Sequence, residues 1–482
     1  MYKFSVLCVF FCLIIVPSVY YAQSNCQYIK SKFVNEREIL SSLRKEKFEK
    51  QKFLYKNYKQ NVAHSISEKY DERYGYVKEL IEGNELINEG ALHSYVFNIL
   101  NNLSEKVGLR DSIRLFLVRS PEPNAFNTNQ NIIFVNLGLF QQINSEDQLA
   151  FILAHELGHE LLNHYDKSVL ERAISQNEKS VKSELRRIKM SQYQRNKALN
   201  ELMLPLILES KELSRKNELE ADSLALNLFT KLGYCVDSIY SVFDELNENE
   251  YDLEKGEFNI LDVLYQKHID QGCGTVQKGS SLGVFQSKEQ DTLIDLLRSH
   301  PHDNIRIENL FKDSITYVKK EYSSDDFLTN QRYALYELII SEYDHGNLGR
   351  SIYLAMIASQ YYTNDIFINE FVSSGLASLL YYKYGVNMGG KLDSYSDVYN
   401  DKYNRLNREI ECLSHTELSE IVMLWGQKCS NQSPTDFYHV MLSYDGENLD
   451  GIREYIHLHE EQECYHYLVD YLKILKSIFT WN

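Results

Sequence analysis

The chain has 482 residues, enough for two or three domains, and its 68 acidic and 51 basic side chains give a formal net charge of −17. No basic stripe stands out against this background, so nucleic acid and anionic membranes are poor partners. Only 6 prolines occur, and this scarcity predicts long helices. The sequence has no Walker loop, no dinucleotide-binding fingerprint and no G-x-S-x-G motif.

The first 22 residues have the pattern of a secretory signal. Lys3 precedes an almost unbroken apolar run over residues 4–16, and a short segment then leads to Ala22. We expect cleavage near Ala22 and export to the periplasm or the cell exterior. Because Tyr20 is large for its place before the cleavage site, an uncleaved signal anchor that tethers the protein to a membrane is the alternative. No other run reaches about 18 apolar residues, so a multi-span membrane domain is not expected.

Residues 148–160 contain the strongest chemical signal of the chain. They are apolar and free of proline up to Ala154, which predicts a helix, and then read His155-Glu156-Leu-Gly-His159. Residues four apart share one face of a helix, so the two imidazoles can bind one zinc ion. Glu156 can act as general base on the attacking water. The alternative is a buried helix with two incidental histidines.

A catalytic zinc site usually has a third protein ligand. The metzincin spacing would place a glycine and a histidine three and six residues after the motif, but the chain has Leu162 and Tyr165 there. His164 follows His155 by nine residues, which on a continuous helix puts it on the opposite side. We therefore interpret His164 as a structural or surface histidine.

Two acidic residues further along the chain are better candidates. Glu218 and Asp222 are four positions apart, so on a helix they share one face. Glu218 can complete a His-His-Glu set for one zinc ion per chain, and Asp222 can accept a hydrogen bond from the outer nitrogen of a ligand histidine. Glu220 would lie on another face. The alternative is a solvated acidic face, since the chain has 68 acidic residues.

Residues 325–482 are rich in tyrosine and have the pattern of amphipathic helices. When Gly346 is placed at a turn between two helices, four residues fall where a tetratricopeptide (TPR) unit has apolar or small side chains: Leu335, Leu338, Ser351 and Ala358. The tyrosine and proline typical of the repeat are out of register. We predict an all-α C-terminal domain, either of TPR-like hairpins or of a generic helical kind, whose surface suits a protein partner.

The histidine motif and the later acidic segment together resemble the sequence pattern of a known family. His155-Glu-Leu-Gly-His159 followed by Glu218-Leu-Glu-Ala-Asp222 is similar to the gluzincin peptidases that include the CAAX-prenyl endopeptidase, the heat-shock peptidase HtpX and the periplasmic protease BepA. The resemblance covers roughly residues 70–312. Three further segments carry it: Asn124-Ala-Phe126 with residues 132–138, Gly233, and His300-Pro301 with Arg306. The polar stretch 127–131 departs from the family pattern and leaves the shape of that loop open.

The resemblance implies further site residues. It makes the β-rich run 132–135 the edge strand that pairs with an extended peptide, although an ordinary core strand is the alternative. The candidate substrate-binding residues are Asn124, Phe126, Ile133 and Phe134. By the same resemblance His300 lies near the metal, where it stabilises the oxyanion or gates the site, and it joins Glu156 as a catalytic candidate. We interpret Arg306 as structural rather than as a substrate clamp.

The predicted fold class is therefore α+β and mostly α, with a zincin-like peptidase domain built on a small sheet. The expected segments are a signal peptide (1–22), an N-terminal helical segment (23–69), a zinc metallopeptidase domain (70–320) and a helical C-terminal domain (325–482).

The predicted function is a zinc-dependent metalloendopeptidase that hydrolyses exported or cell-envelope polypeptides, including unfolded or misassembled ones, in protein quality control. The alternative is a chaperone-like assembly or binding factor with a latent peptidase site. The set of ligands with Glu156 favours the enzyme, because a pure binding protein needs no base beside the metal.

Overall fold

The computed structural model describes residues 31–109, 112–128, 130–190, 195–246, 259–265, 303–311, 323–365 and 401–426, with isolated positions between 367 and 392. The predicted signal segment, His300 and Pro301 lie outside the described residues. Across the part that is described, no helix is both long enough and apolar enough to cross a bilayer.

The chain divides into two compact units. The sheet-containing unit comprises residues 31–251 and 279–331, and the helical unit includes residues 252–278 and 332–482. Residues 31–69 therefore belong to the sheet-containing unit, and residues 252–278 belong to the helical unit.

The described strands form one four-stranded sheet with the order β1-β2-β4-β3. Strands β2 and β4 are parallel, and the outer pairs β1/β2 and β3/β4 are antiparallel. The strands are β1 (Leu86–Ile87), β2 (Arg114–Val118), β3 (Ala125–Asn127) and β4 (Ile132–Asn136).

The expectation that residues 132–135 form an edge strand is wrong. Strand β4 lies between β2 and β3, and all of its residues are buried, with Ile133 and Phe134 at 0% exposure. Its unbroken apolar run fits a strand covered on both faces, which the sequence had left open as the alternative. Among the described strands, β1 and β3 each have a neighbour on one side only. Phe126 of β3 stacks on Phe134 with ring centroids 4.9 Å apart.

Most of the remaining structure is helical. In chain order the described helices are α1 (Glu36–Asn57), α2 (Gln60–Glu82), α3 (Ala91–Glu105), α4 (Leu139–Gln142), α5 (Glu146–Leu161), α6 (His164–Gln176), α7 (Lys179–Met190), α8 (Arg195–Leu232), α9 (Ser238–Leu246), α10 (Ile260–Leu264), α11 (Asp303–Leu310), α12 (Asp325–Asp344), α13 (Leu348–Tyr361), α14 (Asp401–Cys412) and α15 (His415–Gly426).

The N-terminal helices share the core of the sheet. Leu43 of α1 and Val77 and Ile81 of α2 are buried in one cluster with Phe116 of β2 and Phe134 of β4. Burying these side chains removes apolar surface from water, which is the main favourable contribution to folding. This shared core is the reason that α1 and α2 belong to the sheet-containing unit.

Helices α5 and α8 pack closely against each other. Helix α5 begins with a capping box, in which Ser145 and Gln148 satisfy each other's backbone N–H groups. At the crossing, a Cβ added to Gly158 would lie 3.1 Å from the carbonyl oxygen of Ala221 and 3.3 Å from its Cα. Glycine in the HELGH motif and alanine in the later segment therefore let the two backbones approach. This contact brings the acidic residues of α8 against the histidines of α5.

The helical unit contains the predicted hairpin. Gly346 lies in the turn between α12 and α13 with a φ of +80°, a conformation that favours glycine. The four positions expected to be apolar or small, Leu335, Leu338, Ser351 and Ala358, are buried. A TPR register remains a prediction, because one hairpin does not define a repeat.

The short helix α10 explains why residues 252–278 group with the helical unit. It packs against α13 and α14. The hydroxyl of Tyr265, which follows α10, donates to the Glu409 carboxylate, and Trp425 Nε1 donates to the carbonyl of Leu264 at 3.1 Å. Both partners come from helices more than a hundred residues downstream, which sequence patterns do not reveal.

Candidate metal centre

Three side chains from two helices converge on one point. The Nε2 atoms of His155 and His159 on α5 lie 3.0 Å apart. Glu218 on α8 places one carboxylate oxygen 3.4 Å from His155 Nε2 and the other 3.3 Å from His159 Nε2. In a tetrahedral zinc site with bonds of about 2.0–2.1 Å, neighbouring ligand atoms are about 3.3 Å apart. The predicted ligand set therefore fits zinc, and within the described residues it is the one group with metal-site geometry.

Asp222 lies behind the first ligand. Its Oδ1 is 2.8 Å from Nδ1 of His155, and the side chain is completely buried. Arg306 of α11 donates to both carboxylate oxygens, from Nε at 2.7 Å and from Nη2 at 2.6 Å. Asp222 is therefore within hydrogen-bonding distance of the outer nitrogen of His155, and Arg306 is its counter-ion.

This arrangement fixes the charge and the tautomer of His155. Burial alone raises the pKa of Asp222, but hydrogen bonds from Arg306 and His155 outweigh it and lower the pKa. The charged carboxylate keeps a proton on His155 Nδ1, which leaves Nε2 to face the metal point. Burial lowers the pKa of His155, but the hydrogen bonds with Asp222 and Glu218 outweigh burial and raise it to about 10. In the metal-free site, His155 therefore holds a proton that zinc must displace.

The position of His164 corrects the sequence analysis. Helix α5 ends at Leu161, and Asn163 adopts a left-handed conformation with a φ of 54°, so the helical projection past Leu161 does not apply. The side chain of His164 is buried, and its Nδ1 lies 3.0 Å from Nδ1 of His159. Its Nε2 lies 3.3 Å from an oxygen of Glu220. Burial and the neighbouring His159 lower the pKa of His164 to about 4, so this ring is neutral at physiological pH.

Glu156 lies on α5 next to the first ligand and is 9% exposed. Burial raises the pKa of its carboxyl, while the charges of His155 and His159 oppose the shift. A carboxylate with a raised pKa is a stronger proton acceptor once it is ionised. The side-chain nitrogen of Asn127 on β3 donates to the backbone carbonyl of Glu156 at 3.0 Å, which ties this strand to the motif helix.

The predicted substrate residues have different surroundings. Asn124 is exposed and Phe126 is half-buried on the outer strand β3. Ile133 and Phe134 have no exposed surface, so they are not available to contact a peptide directly and their predicted role is wrong. Asn127, which the sequence analysis missed, is the described residue that links this strand to Glu156.

A His-His-Glu centre on two closely packed helices, with a glutamate beside the first histidine, defines a zinc metallopeptidase. Residues 91–313 match the family described as Peptidase family M48. Residues 91–313, slightly less than half of the chain, therefore form a peptidase family M48 domain.

Two relatives show how far the likeness extends. Over 174 residues the chain is 25% identical to the "Putative beta-barrel assembly-enhancing protease" of Vibrio cholerae, with 36% of each chain covered. Over 83 residues it is 35% identical to the "Mitochondrial metalloendopeptidase OMA1" of Schizosaccharomyces pombe, with 17% of this chain and 25% of the relative covered. The matched segments therefore span about a third of one relative and a quarter of the other.

Proposed function

We propose that this protein is a zinc-dependent endopeptidase that cleaves exported or cell-envelope polypeptides. The observation that carries the proposal is the approach of His155, His159 and Glu218 to within 3.0–3.4 Å of one another beside Glu156. Zinc bound at this point supplies Lewis acidity toward a carbonyl group and assists the ionisation of water.

The residues of the chain supply the proton transfers. Glu156 accepts a proton from the attacking water and delivers it to the leaving amine, which is the role of a general base that then acts as an acid. His300, by its resemblance to the family's His-Pro element, is proposed to stabilise the oxyanion or to gate the metal. Asp222 holds His155 in the tautomer that a ligand needs.

Strand β3 is the proposed docking place for the substrate backbone. It is one of the two outer strands of the described sheet, and it is the one tied to Glu156 through Asn127. An extended peptide that pairs with an outer strand gains main-chain hydrogen bonds without a fixed sequence. Asn124 and Phe126 are the side chains proposed to contact it, and the buried Phe134 supports Phe126 from within the sheet.

The substrate class rests on the N-terminal segment and on a relative. The apolar run at residues 4–16 favours export, and the Vibrio cholerae relative is described as acting in beta-barrel assembly. We therefore assign unfolded or misassembled envelope proteins as substrates and protein quality control as the role. The helical unit is proposed to recruit the substrate or a protein partner, since stacked helical hairpins present broad surfaces.

The test is the variant Glu156→Gln, measured by zinc content and by casein cleavage. Zinc should remain at one ion per chain, while the rate should fall by about three or more orders of magnitude, because general-base assistance and activation of water act together. Glu171→Gln, a change at an exposed glutamate of α6, is the matched control and should retain both properties.

Near-normal cleavage by Glu156→Gln would reject the mechanism. A wild-type protein that binds zinc and an envelope partner but cleaves neither casein nor short peptides would instead support the chaperone-like assembly factor with a latent site.

A further inference from the structure

We propose that His164 is a positioning residue for the ligand His159, and that Glu220 orients His164. The proposal rests on the metal site described above but not on the identity of the substrate. It gives a role to two side chains that the spacing of the sequence had set aside. The Nε2 atom of His159 faces His155 and Glu218, so a residue other than these two must hold its Nδ1 atom.

Counting protons gives one consistent arrangement. A ligand nitrogen needs its lone pair, so the proton of His159 must be on Nδ1 when Nε2 faces the metal point. The acceptor within hydrogen-bond distance of this proton is His164 Nδ1, at 3.0 Å. His164 must then carry its own proton on Nε2, which faces Glu220 at 3.3 Å. Each donor in this series of hydrogen bonds, from His159 through His164 to Glu220, thus has an acceptor.

Local backbone geometry places His164 there. Asn163 turns the chain in the left-handed conformation, and α6 starts at His164. The rings of His159 and His164 meet edge to face, with centroids 5.0 Å apart and planes inclined by 75°. His164 is 3% exposed, so its contact with His159 is shielded from water. A shielded hydrogen bond is electrostatically stronger than one in solvent.

The two ligand histidines are therefore held by partners of different strength. His155 contacts a buried carboxylate that Arg306 fixes from two directions. His159 contacts a neutral ring whose carboxylate partner, Glu220, has a side chain that is 43% exposed. We expect removal of Asp222 to weaken zinc binding most, removal of His164 to weaken it less, and removal of Glu220 to weaken it least.

The experiment measures zinc affinity by chelator competition, together with the absorption spectrum of the cobalt-substituted full-length protein. His164→Leu should weaken zinc binding by about 10- to 100-fold, the usual effect of losing a residue that orients a ligand. It should also shift the cobalt spectrum, because His159 is no longer held. His164→Asn keeps an acceptor near the place of Nδ1 and should bind zinc within about threefold of wild type.

Two further variants separate orientation from packing. Glu220→Gln alters a partly exposed side chain and should cost less than about tenfold in zinc affinity, and it should add little in the His164→Leu background because both act through one contact. His64→Leu is the matched control. His64 and Glu68 form a similar pair, 3.4 Å apart, on the exposed surface of α2. This control should leave zinc binding and the cobalt spectrum unchanged.

The inference is overturned if folded His164→Leu binds zinc and cobalt as wild type does. It is also overturned if His164→Asn is as damaging as His164→Leu, since the site would then require the shape of the ring rather than its acceptor. Because the readout needs no substrate, a protein that binds zinc but cleaves nothing refutes the proposed function and leaves this test intact.

Discussion

Glu218 is the ligand that the sequence identifies least directly, because any glutamate one turn from an aspartate would show the same spacing. Its carboxylate oxygens lie within 3.4 Å of both imidazoles, so we expect Glu218 to be needed for zinc binding as much as the two histidines are. Replacing His155, His159 or Glu218 with alanine should lower zinc content and activity together, as measured by metal analysis of the purified protein and by casein cleavage.

The control for this set is Glu212→Ala, a change at an exposed glutamate on the same helix α8. It should retain zinc and activity. Stoichiometric zinc in Glu218→Ala would place the third ligand elsewhere.

A second residue-scale prediction concerns the proton on His155. Its pKa is raised to about 10 in the metal-free site, so the proton is bound at all pH values below that and competes with zinc. Zinc affinity should therefore rise as the pH increases from 6 to 8, by up to about tenfold per pH unit for each proton displaced. Chelator competition at several pH values, corrected for protonation of the chelator, measures this slope. An affinity that is constant over this range would contradict the prediction.

At the scale of elements, the ion pair between Asp222 and Arg306 joins α8 to α11. Both side chains are shielded from water, and the guanidinium also lies 4.6 Å from the ring centroid of Phe243 on α9. Removing Arg306 takes away two of the hydrogen bonds to the buried Asp222 carboxylate and leaves it with His155 as its partner. Arg306→Leu should therefore lower the free energy of unfolding of the sheet-containing unit by about 3–5 kcal/mol.

Tryptophan fluorescence would not report on this unit, because both tryptophans, Trp425 and Trp481, lie outside it. Hydrogen exchange of α5 and α8 is therefore the suitable measurement. The amide protons of both helices should exchange faster in Arg306→Leu. Arg187→Leu removes an exposed arginine paired with Glu184 and should leave exchange of α5 and α8 unchanged. Wild-type protection in Arg306→Leu would show that the pair does not stabilise the fold.

The helices that hold the metal were predictable because their signal is local. An apolar, proline-free run and spacings of four residues predict α5 and the acidic face of α8, and the structure contains both helices. The end of α5 had one local signal, Asn163, because asparagine, like glycine, can adopt the left-handed conformation that ends a helix, and the helical projection ignored it. The error over His164 follows from that one break.

The sheet illustrates a different limit. Residues 132–135 do form a strand, but the order of strands depends on pairing between distant segments, and β3 has only three residues in which to show an alternating pattern. The Asp222–Arg306 pair likewise joins residues 84 positions apart. A single sequence identifies charged residues readily, but it does not say which distant charge each one will contact.

At the scale of the whole molecule, the two units are interleaved along the chain. Residues 252–278, which include α10, belong to the helical unit although residues on both sides belong to the other unit. A fragment of residues 31–331 would expose the apolar residues of α10 that are buried in the intact protein: Ile260, Leu261, Val263 and Leu264. Such a fragment should therefore be prepared with these four residues replaced by serine and checked for monodispersity.

If the helical unit recruits substrate, this fragment should bind zinc and cleave a short unstructured peptide but lose cleavage of a large envelope protein. The metal ligands, Glu156 and β3 all lie within it. Rates on both substrates, compared with those of the intact chain carrying the same serines, measure the effect. Equal cleavage of large and small substrates by both proteins would show that recruitment is wrong, and cleavage by the fragment alone would show that the helical unit inhibits the site.

The distance along the chain between Asp222 and Arg306 also sets an order of events on the ribosome. A nascent chain already contains all three metal ligands when the guanidinium is still 84 residues away. At about 5–20 residues per second, that interval lasts about 4–17 seconds. During it, closing α5 onto α8 would bury the Asp222 carboxylate against His155 but without the two hydrogen bonds that Arg306 donates, which makes the closed arrangement less favourable. We therefore expect newly made chains to acquire their zinc site only after α11 has been synthesised, so that partly made protein is not an active protease.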